Sequence, residues 1–388
     1  MLFLMLGQTQ VKSSNNRSYN LHNTTTNTQS WVVRTMPDYV TPESYIVYID
    51  GSTVYAVNGK TGAVDYSGSS AATVIQSAVN ALTSGGMIVL KAGSYTFNAI
   101  VEVKSNRQIV GEGYSTKITV GTDVYGAFKV TDTSTVENVR ISNICIDGNK
   151  TNQTDASNNT GLIVLDTYKT VRNIYIDHMW FENAFFSDIV NVGPTTNPTG
   201  IHISNIYSTG CGDVGSGYDP HSLYLTNVED SYVQDYYVTG CDSHSFDIRT
   251  TGKRSVFVRL HSYSPVAGFG LSLYTQDAVF IGCKSFNAYE HGIRLSGCSR
   301  TALIGCVVMN SSQGPGTQDG ILITGSSTNN IILGCICSDD QATKTQRYGI
   351  NIPAESNYNI ICACQLSGNA TGGLNDNGTN NVKSANIL

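Results

Sequence analysis

From about residue 87 onward the chain repeats itself, and this repeat limits the fold more than any other feature. The segments NVRISNICI (138–146), NIYIDHMWF (173–181), GIHISNIYS (200–208) and DSYVQDYYV (230–238) align with one another. SVFVRLHSY (255–263), AVFIGCKSF (278–286), TALIGCVVM (301–309), NIILGCICS (330–338) and NIICACQLS (359–367) continue the series. One equivalent position then reads Ile144, Met179, Ile206, Tyr236, Leu260, Cys283, Cys306, Cys335 and Cys364. A period of about 22–30 residues, made of short strands with no helix inside it, fits the coils of a parallel β-helix. One such coil cannot bury its own apolar face, so stacking must supply the core. Equivalent residues then lie above one another at about 4.8 Å.

A second strand recurs in each coil, in SLYLT, SFDIR, GLSLY, GIRLS, GILIT and GINIP. Leu223, Phe246, Leu271, Ile293, Ile321 and Ile350 are expected to face inward. Strand alternation turns the intervening residues out. One outward column reads Tyr224, Asp247, Ser272, Arg294, Leu322 and Asn351, and the next reads Thr226, Arg249, Tyr274, Ser296, Thr324 and Pro353.

Composition agrees with an all-β chain. Only 13% of the 388 residues are charged, while 38 are glycine and 22 tyrosine, which disfavours helices and suits short strands joined by tight turns. The net charge of −6, with no run of Lys or Arg, excludes a nucleic-acid partner. The apolar start MLFLMLGQTQ is too short for a membrane span and, with no preceding positive charge, is weak as a signal peptide; a truncated signal and a buried end segment both fit it.

Residues 1–30 read as a polar arm, disordered or attached to a partner, and 31–66 as a β-hairpin or attachment segment. Residues 67–388 read as the β-helix domain. An apolar stripe at 74, 75, 78, 79 and 82 predicts a capping helix near 71–84, stopped by Gly85-Gly86. The Cys column at 283, 306, 335 and 364 reads as small, buried, reduced side chains in an interior ladder. The Cys-x-Cys pairs at 335/337 and 362/364 lack the spacing of a zinc ribbon.

Chemistry concentrates upstream of the second strand. Two residues before it the column reads His221, His244, Phe269, His291, Asp319 and Tyr348, and two further back it begins Asp219, Asp242. Three of the seven histidines share one column, and Asp-x-His occurs twice in the same register. Asp and Ser before a strand are ordinary turn residues, and strict alternation from Leu223 would point His221 inward. A corner at Pro220 or Ser222 is therefore expected, because Asp319 in that column would be costly inside. Asp247, Arg249, Tyr274 and Arg294 lie beside these groups on the outward face. His178, His202 and His261 sit on strands outside the cluster and read as ordinary surface or packed residues.

The stretch DYSGSSAATVIQSAVNALTSGGMIVLKAGSYTFNAIVEVKSNRQIVGEGYSTKI resembles the cap and first coil of pectate-lyase-superfamily proteins. That resemblance, with the repeats, spans about residues 60–370 and implies one right-handed parallel β-helix with an N-terminal capping helix. GYDPHS is similar to the Asp-Pro-His motif of mannuronan C5-epimerases, and CDSHSFDIRTTGK and YEHGIRLSG resemble later coils of that family. The resemblance implies Asp219 and His221 as catalytic residues and His244 as a groove residue. Ser216 stands where the family has its catalytic tyrosine, with Tyr218 close by, and Ser243 stands where it has a groove arginine.

Removing the C5 proton of a uronate needs a base near neutral pKa, a proton donor, and positive charge over the carboxylate. His221 or His244 suits the base, Tyr218 or Tyr274 the donor, and Arg249 or Arg294 the clamp. His291 and Asp247 extend the groove. β-Elimination makes such a site a lyase, and reprotonation from the opposite face makes it an epimerase. Asp219, Asp242 and Asp247 also suit a Ca²⁺ ion, no other metal being indicated, and Asp242 with Asp247 suit a two-carboxylate glycoside hydrolase. The expected partner is an acidic polysaccharide, handled by a monomer or homotrimer in an extracellular, surface or virion setting. The competing class is a non-catalytic, tailspike-like fibre that binds glycan, favoured by the polar arm and the tyrosine-rich, low-charge surface.

Overall fold

The computed structural model describes residues 10–12, 18–20, 44–154, 161–193, 197–212, 220–250 and 254–388. The chain forms two compact units, Met1–Tyr39 and Val40–Leu388. In the first, Gln10–Lys12 pairs antiparallel with Ser18–Asn20, and the remainder of the expected arm lies outside the described residues. The second is an all-β parallel solenoid of about ten turns.

Two long parallel sheets wind along it. The first holds eleven strands: β1 (Val101–Val103), β2 (Phe128–Val130), β3 (Gly161–Asp166), β4 (Ser187–Val192), β5 (Leu223–Thr226), β6 (Phe246–Arg249), β7 (Leu271–Leu273), β8 (Ile293–Ser296), β9 (Ile321–Thr324), β10 (Tyr348–Ile352) and β11 (Gly372–Asp376). Leu223, Phe246, Leu271, Ile293, Ile321 and Ile350 pair in that order, and all are fully buried. The register is the one the repeat predicts. It places Tyr224, Asp247, Ser272, Arg294, Leu322 and Asn351 in one row.

The second sheet bends across two faces. Thr135–Asp147, Thr170–Glu182 and Thr199–Thr209 cross the bend unbroken, whereas later coils split into pairs such as Ala302–Ile304 and Val307–Met309. The bend falls on one residue per coil with positive φ: Asn143, His178, Asn205, Asp235, Arg259, Gly282, Gly305, Gly334 and Ala363. Asn, Asp and Gly tolerate this left-handed conformation at least cost, and they fill six of those nine positions. The next residue turns inward, which is the column ending in Cys283, Cys306, Cys335 and Cys364. These four thiols are free and buried. Cys211 and Cys241 stand off that column and form a disulfide between adjacent coils, so not every cysteine is reduced.

At the start of the solenoid, α1 (Ala71–Ala81) begins at Ser70, whose hydroxyl accepts from the Thr73 N–H, and buries Ala71, Ala72, Val74, Ile75, Ala78 and Val79. The hairpin Tyr45–Asp50/Thr53–Asn58 joins the same body, since Tyr45–Val47 also pairs parallel with Ile88–Leu90. Among the described residues no helix is long and apolar enough to cross a membrane.

Candidate functional site

The expected corner is present before β5. Ser222 and Leu223 are both buried, Ser222 donating to Asp188 with the Tyr236 hydroxyl 3.1 Å from its Oγ, so alternation breaks there. His221 is thereby released to the outward row, where its ring meets Tyr224 at 5.3 Å.

The histidine column is a stack. His221 lies 5.3 Å from His244 with planes 17° apart, His244 lies 4.5 Å from Phe269, and Phe269 lies 5.8 Å from His291. Each coil contributes one ring because the register repeats one residue per coil at this point. His221 and His244 are only 4% and 9% exposed, so the rings present edges rather than faces. The Phe269 N–H donates to His244 Nδ1 at 3.0 Å, which leaves Nε2 as the protonated nitrogen of a neutral His244. Gly268 permits that approach, since a Cβ there would stand 2.2 Å from His244 Nδ1. His221 Nε2 is 3.4 Å from Asp247 Oδ2.

Asp247 has no exposure and is met by Arg249, whose Nη2 and Nε donate to Oδ2 at 2.7 and 3.0 Å. Burying a carboxylate is tolerable only with such pairing. Arg249 in turn lies 5.4 Å over Tyr224 and 5.1 Å over Tyr274. Arg294 lies 4.1 Å over Phe269 and 5.1 Å over Tyr274, and donates to Ser272 Oγ at 3.1 Å and to the Tyr274 hydroxyl. It makes no ion pair among the described residues. One continuous patch thus unites His221, His244, Asp247, Arg249, Tyr274 and Arg294.

Asp242 stands apart from this patch in its bonding: Lys150 Nζ reaches it at 2.7 Å and also donates to the Gly212 carbonyl at 2.6 Å. Asp219 and Tyr218 lie outside the described residues. No group of three or more His, Cys, Asp or Glu side chains suited to a metal occurs among the described residues.

Two features escape a sequence reading. His291, Asp319 and Arg347 repeat the His–Asp–Arg arrangement further along. Asp319 is fully buried, takes 2.8 and 2.7 Å bonds from Arg347, a 2.9 Å bond from Asn351, and has His291 Nδ1 at 3.7 Å. The expectation that Asp319 would avoid burial is therefore corrected: its charge is paired, not exposed. Burial pushes His291 down to about 4. Inside the solenoid, behind His221, Asp188 is pushed up to about 7 by burial and accepts from Ser208 and Ser222.

A cleft of about 520 Å³ opens beside Arg249, lined by Tyr168, Asn191, Gly193, Tyr224, Thr226 and Arg249 among others.

No family model matches the chain, and no curated protein matches it in sequence. Solved structures do match its fold. The A-module of mannuronan C-5 epimerase AlgE6 from Azotobacter vinelandii superposes with a TM-score of 0.65 at 13% identity, covering 82% of this chain and 95% of that one. DFA-IIIase from Arthrobacter chlorophenolicus gives 0.55 at 14% identity, over 81% and 90%. The tailspike of Acinetobacter baumannii phage AM24 gives 0.50 at 12% identity, over 82% and 51%. The class defined by this fold is the right-handed parallel β-helix. At these identities the likeness concerns the fold alone.

Proposed function

We propose that this protein acts on an acidic glycan as a lyase or C5-epimerase, abstracting the C5 proton of a uronate residue at the His221/His244 patch. The observation that carries this reading is Arg294. Among the described residues it is the groove arginine that no carboxylate pairs with, and it is held over Phe269, which packs on His244. A substrate carboxylate beside it places the acidic C5–H next to the histidines. The guanidinium then stabilises charge as the enolate forms.

The roles follow from the partners. His221, whose Nε2 lies 3.4 Å from Asp247 Oδ2, is the candidate base, with Asp247 orienting its ring. His244, accepting at Nδ1, presents Nε2–H as a donor to the developing charge. Tyr218 and Tyr274 are the candidates for returning the proton, and Asp219 for shielding the carboxylate. A two-carboxylate hydrolysis is less well supported, because Asp247 is tied to Arg249 and Asp242 to Lys150. Both pairings argue as well against a Ca²⁺ ion held by those carboxylates. On the same reading α1 caps the first coil, and the protein is secreted or surface-associated, where the Cys211–Cys241 disulfide persists.

The test is incubation with polymannuronate, polyguluronate and polygalacturonate in D₂O. Deuterium at C5 or an unsaturated product is expected with wild type, and neither with the His221→Ala/His244→Ala pair. A wild type that leaves the whole panel unchanged overturns the enzymatic reading and leaves glycan binding, as in a fibre, to be measured by calorimetry.

A further inference from the structure

We infer that the cleft beside Arg249 is a separate sugar subsite, in which a pyranose ring of the same glycan stacks on Tyr168. This rests on the reading that an acidic glycan occupies the His221/Arg294 patch. The cleft, at about 520 Å³, has the size of a ligand site. It lies towards the N-terminal end of the patch and shares Tyr224 and Arg249 with it.

Tyr168 is the unusual wall. It lies two residues past the end of β3 and is 64% exposed, yet its backbone is held and its ring is packed on one side. Its N–H donates to Asp166 Oδ1 at 3.3 Å, and its ring packs against the backbone of Gly193, where a Cβ would come within 2.8 Å of ring Cδ2. The floor is equally rigid: Asn191 bonds Thr226 through both its amide groups, donating to the carbonyl and accepting from the N–H, each at 2.7 Å. A large aromatic surface held open to water by its surroundings, above a polar floor, is the arrangement that holds a sugar ring by its C–H face.

Charge completes the assignment. Arg249 faces the cleft, but the buried Asp247 cancels it. The subsite therefore recognises the ring and its hydroxyls rather than a carboxylate, and acidity is read at Arg294. β3 and β6 are three coils apart, about 14 Å along the solenoid at the spacing of adjacent strands. Only an oligomer spans that distance.

The test compares a mannuronate trimer with an octamer on wild type, Tyr168→Ala and Tyr168→Phe. Tyr168→Ala is expected to lower the octamer-to-trimer ratio of kcat/KM about tenfold, the scale of one aromatic contact, and Tyr168→Phe to restore it. A ratio unchanged in Tyr168→Ala overturns the subsite while leaving the proposed function intact. A wild type that turns over neither oligomer overturns the proposed function instead. In that case calorimetric titration of the octamer decides the subsite: weaker binding by Tyr168→Ala supports it, and equal affinity, or no binding by either protein, overturns it.

Discussion

His291 and Asp188 are buried titratable groups whose effects on stability oppose each other. His291 falls from its ordinary 6.5 to about 4 because burial disfavours the imidazolium. Between those values the unfolded chain holds more protons, so stability drops as pH falls from about 6.5 towards 4, by ~3 kcal/mol in all. Asp188 rises from 3.8 to about 7, again through burial. There the folded chain holds more protons, so stability drops as pH rises from about 4 towards 7, by ~4 kcal/mol. In wild type the two slopes largely offset each other and the profile is shallow. Urea midpoints across that window should therefore diverge in the variants. His291→Gln leaves a stability that declines with rising pH, and Asp188→Asn leaves one that increases. Parallel profiles for both variants would show that neither group titrates as the burial implies.

At the level of strands and corners, much of the structure was legible, because the signals are local and recur. The inward column from Leu223 to Ile350 follows from alternation and repeat spacing alone. The bend residues were not singled out, because what they share is a left-handed φ, and His178, Arg259 and Ala363 hold it alongside Asn, Asp and Gly. Ala363 is the exception that makes a prediction. It is exposed at φ 54, where an L-residue costs about 1–2 kcal/mol. Ala363→Gly should raise the urea midpoint by the equivalent of up to ~1 kcal/mol, and Asn205→Ala should lower it similarly.

Glycines in the other strand act oppositely. Gly270, Gly292, Gly320 and Gly349 stack so tightly that a Cβ on each would lie 2.7–2.9 Å from the carbonyl oxygen of the next coil's glycine. Gly320→Ala should cost about 2 kcal/mol or more, as overpacking does. A neutral Gly320→Ala would mean that the coils separate there more easily than the register suggests.

Over the whole molecule, the features that stayed hidden depend on partners the repeat does not announce. Asp319 and Arg347 are 28 residues apart, and only the stacking of successive coils joins them. Asp188 sits in an ordinary strand pattern, and its burial depends on Ser208 and Ser222 arriving from other coils. The same pairing decides which charges the patch would offer the proposed acidic glycan. The chain carries −6 overall, yet the patch and the His291 cluster beyond it contain Arg249, Arg294 and Arg347. Two of these are neutralised by buried carboxylates, Asp247 and Asp319, whereas Arg294 makes no ion pair among the described residues.

Uronan affinity should therefore depend weakly on salt. Releasing counterions at one contact gives a slope of log K against log salt of about −1 or shallower, since each neutralised charge contributes less than one unit. Arg294→Gln should weaken binding and flatten that slope towards zero, whereas the double variant Arg249→Gln/Asp247→Asn, which removes a pair whose charges already cancel, should leave the slope unchanged. Calorimetric titration of polymannuronate at several salt concentrations measures both. A wild-type slope near −3 would mean that the Asp247 and Asp319 pairs open on binding and release their arginines to the glycan, and Arg294 would then lose its special place in the groove.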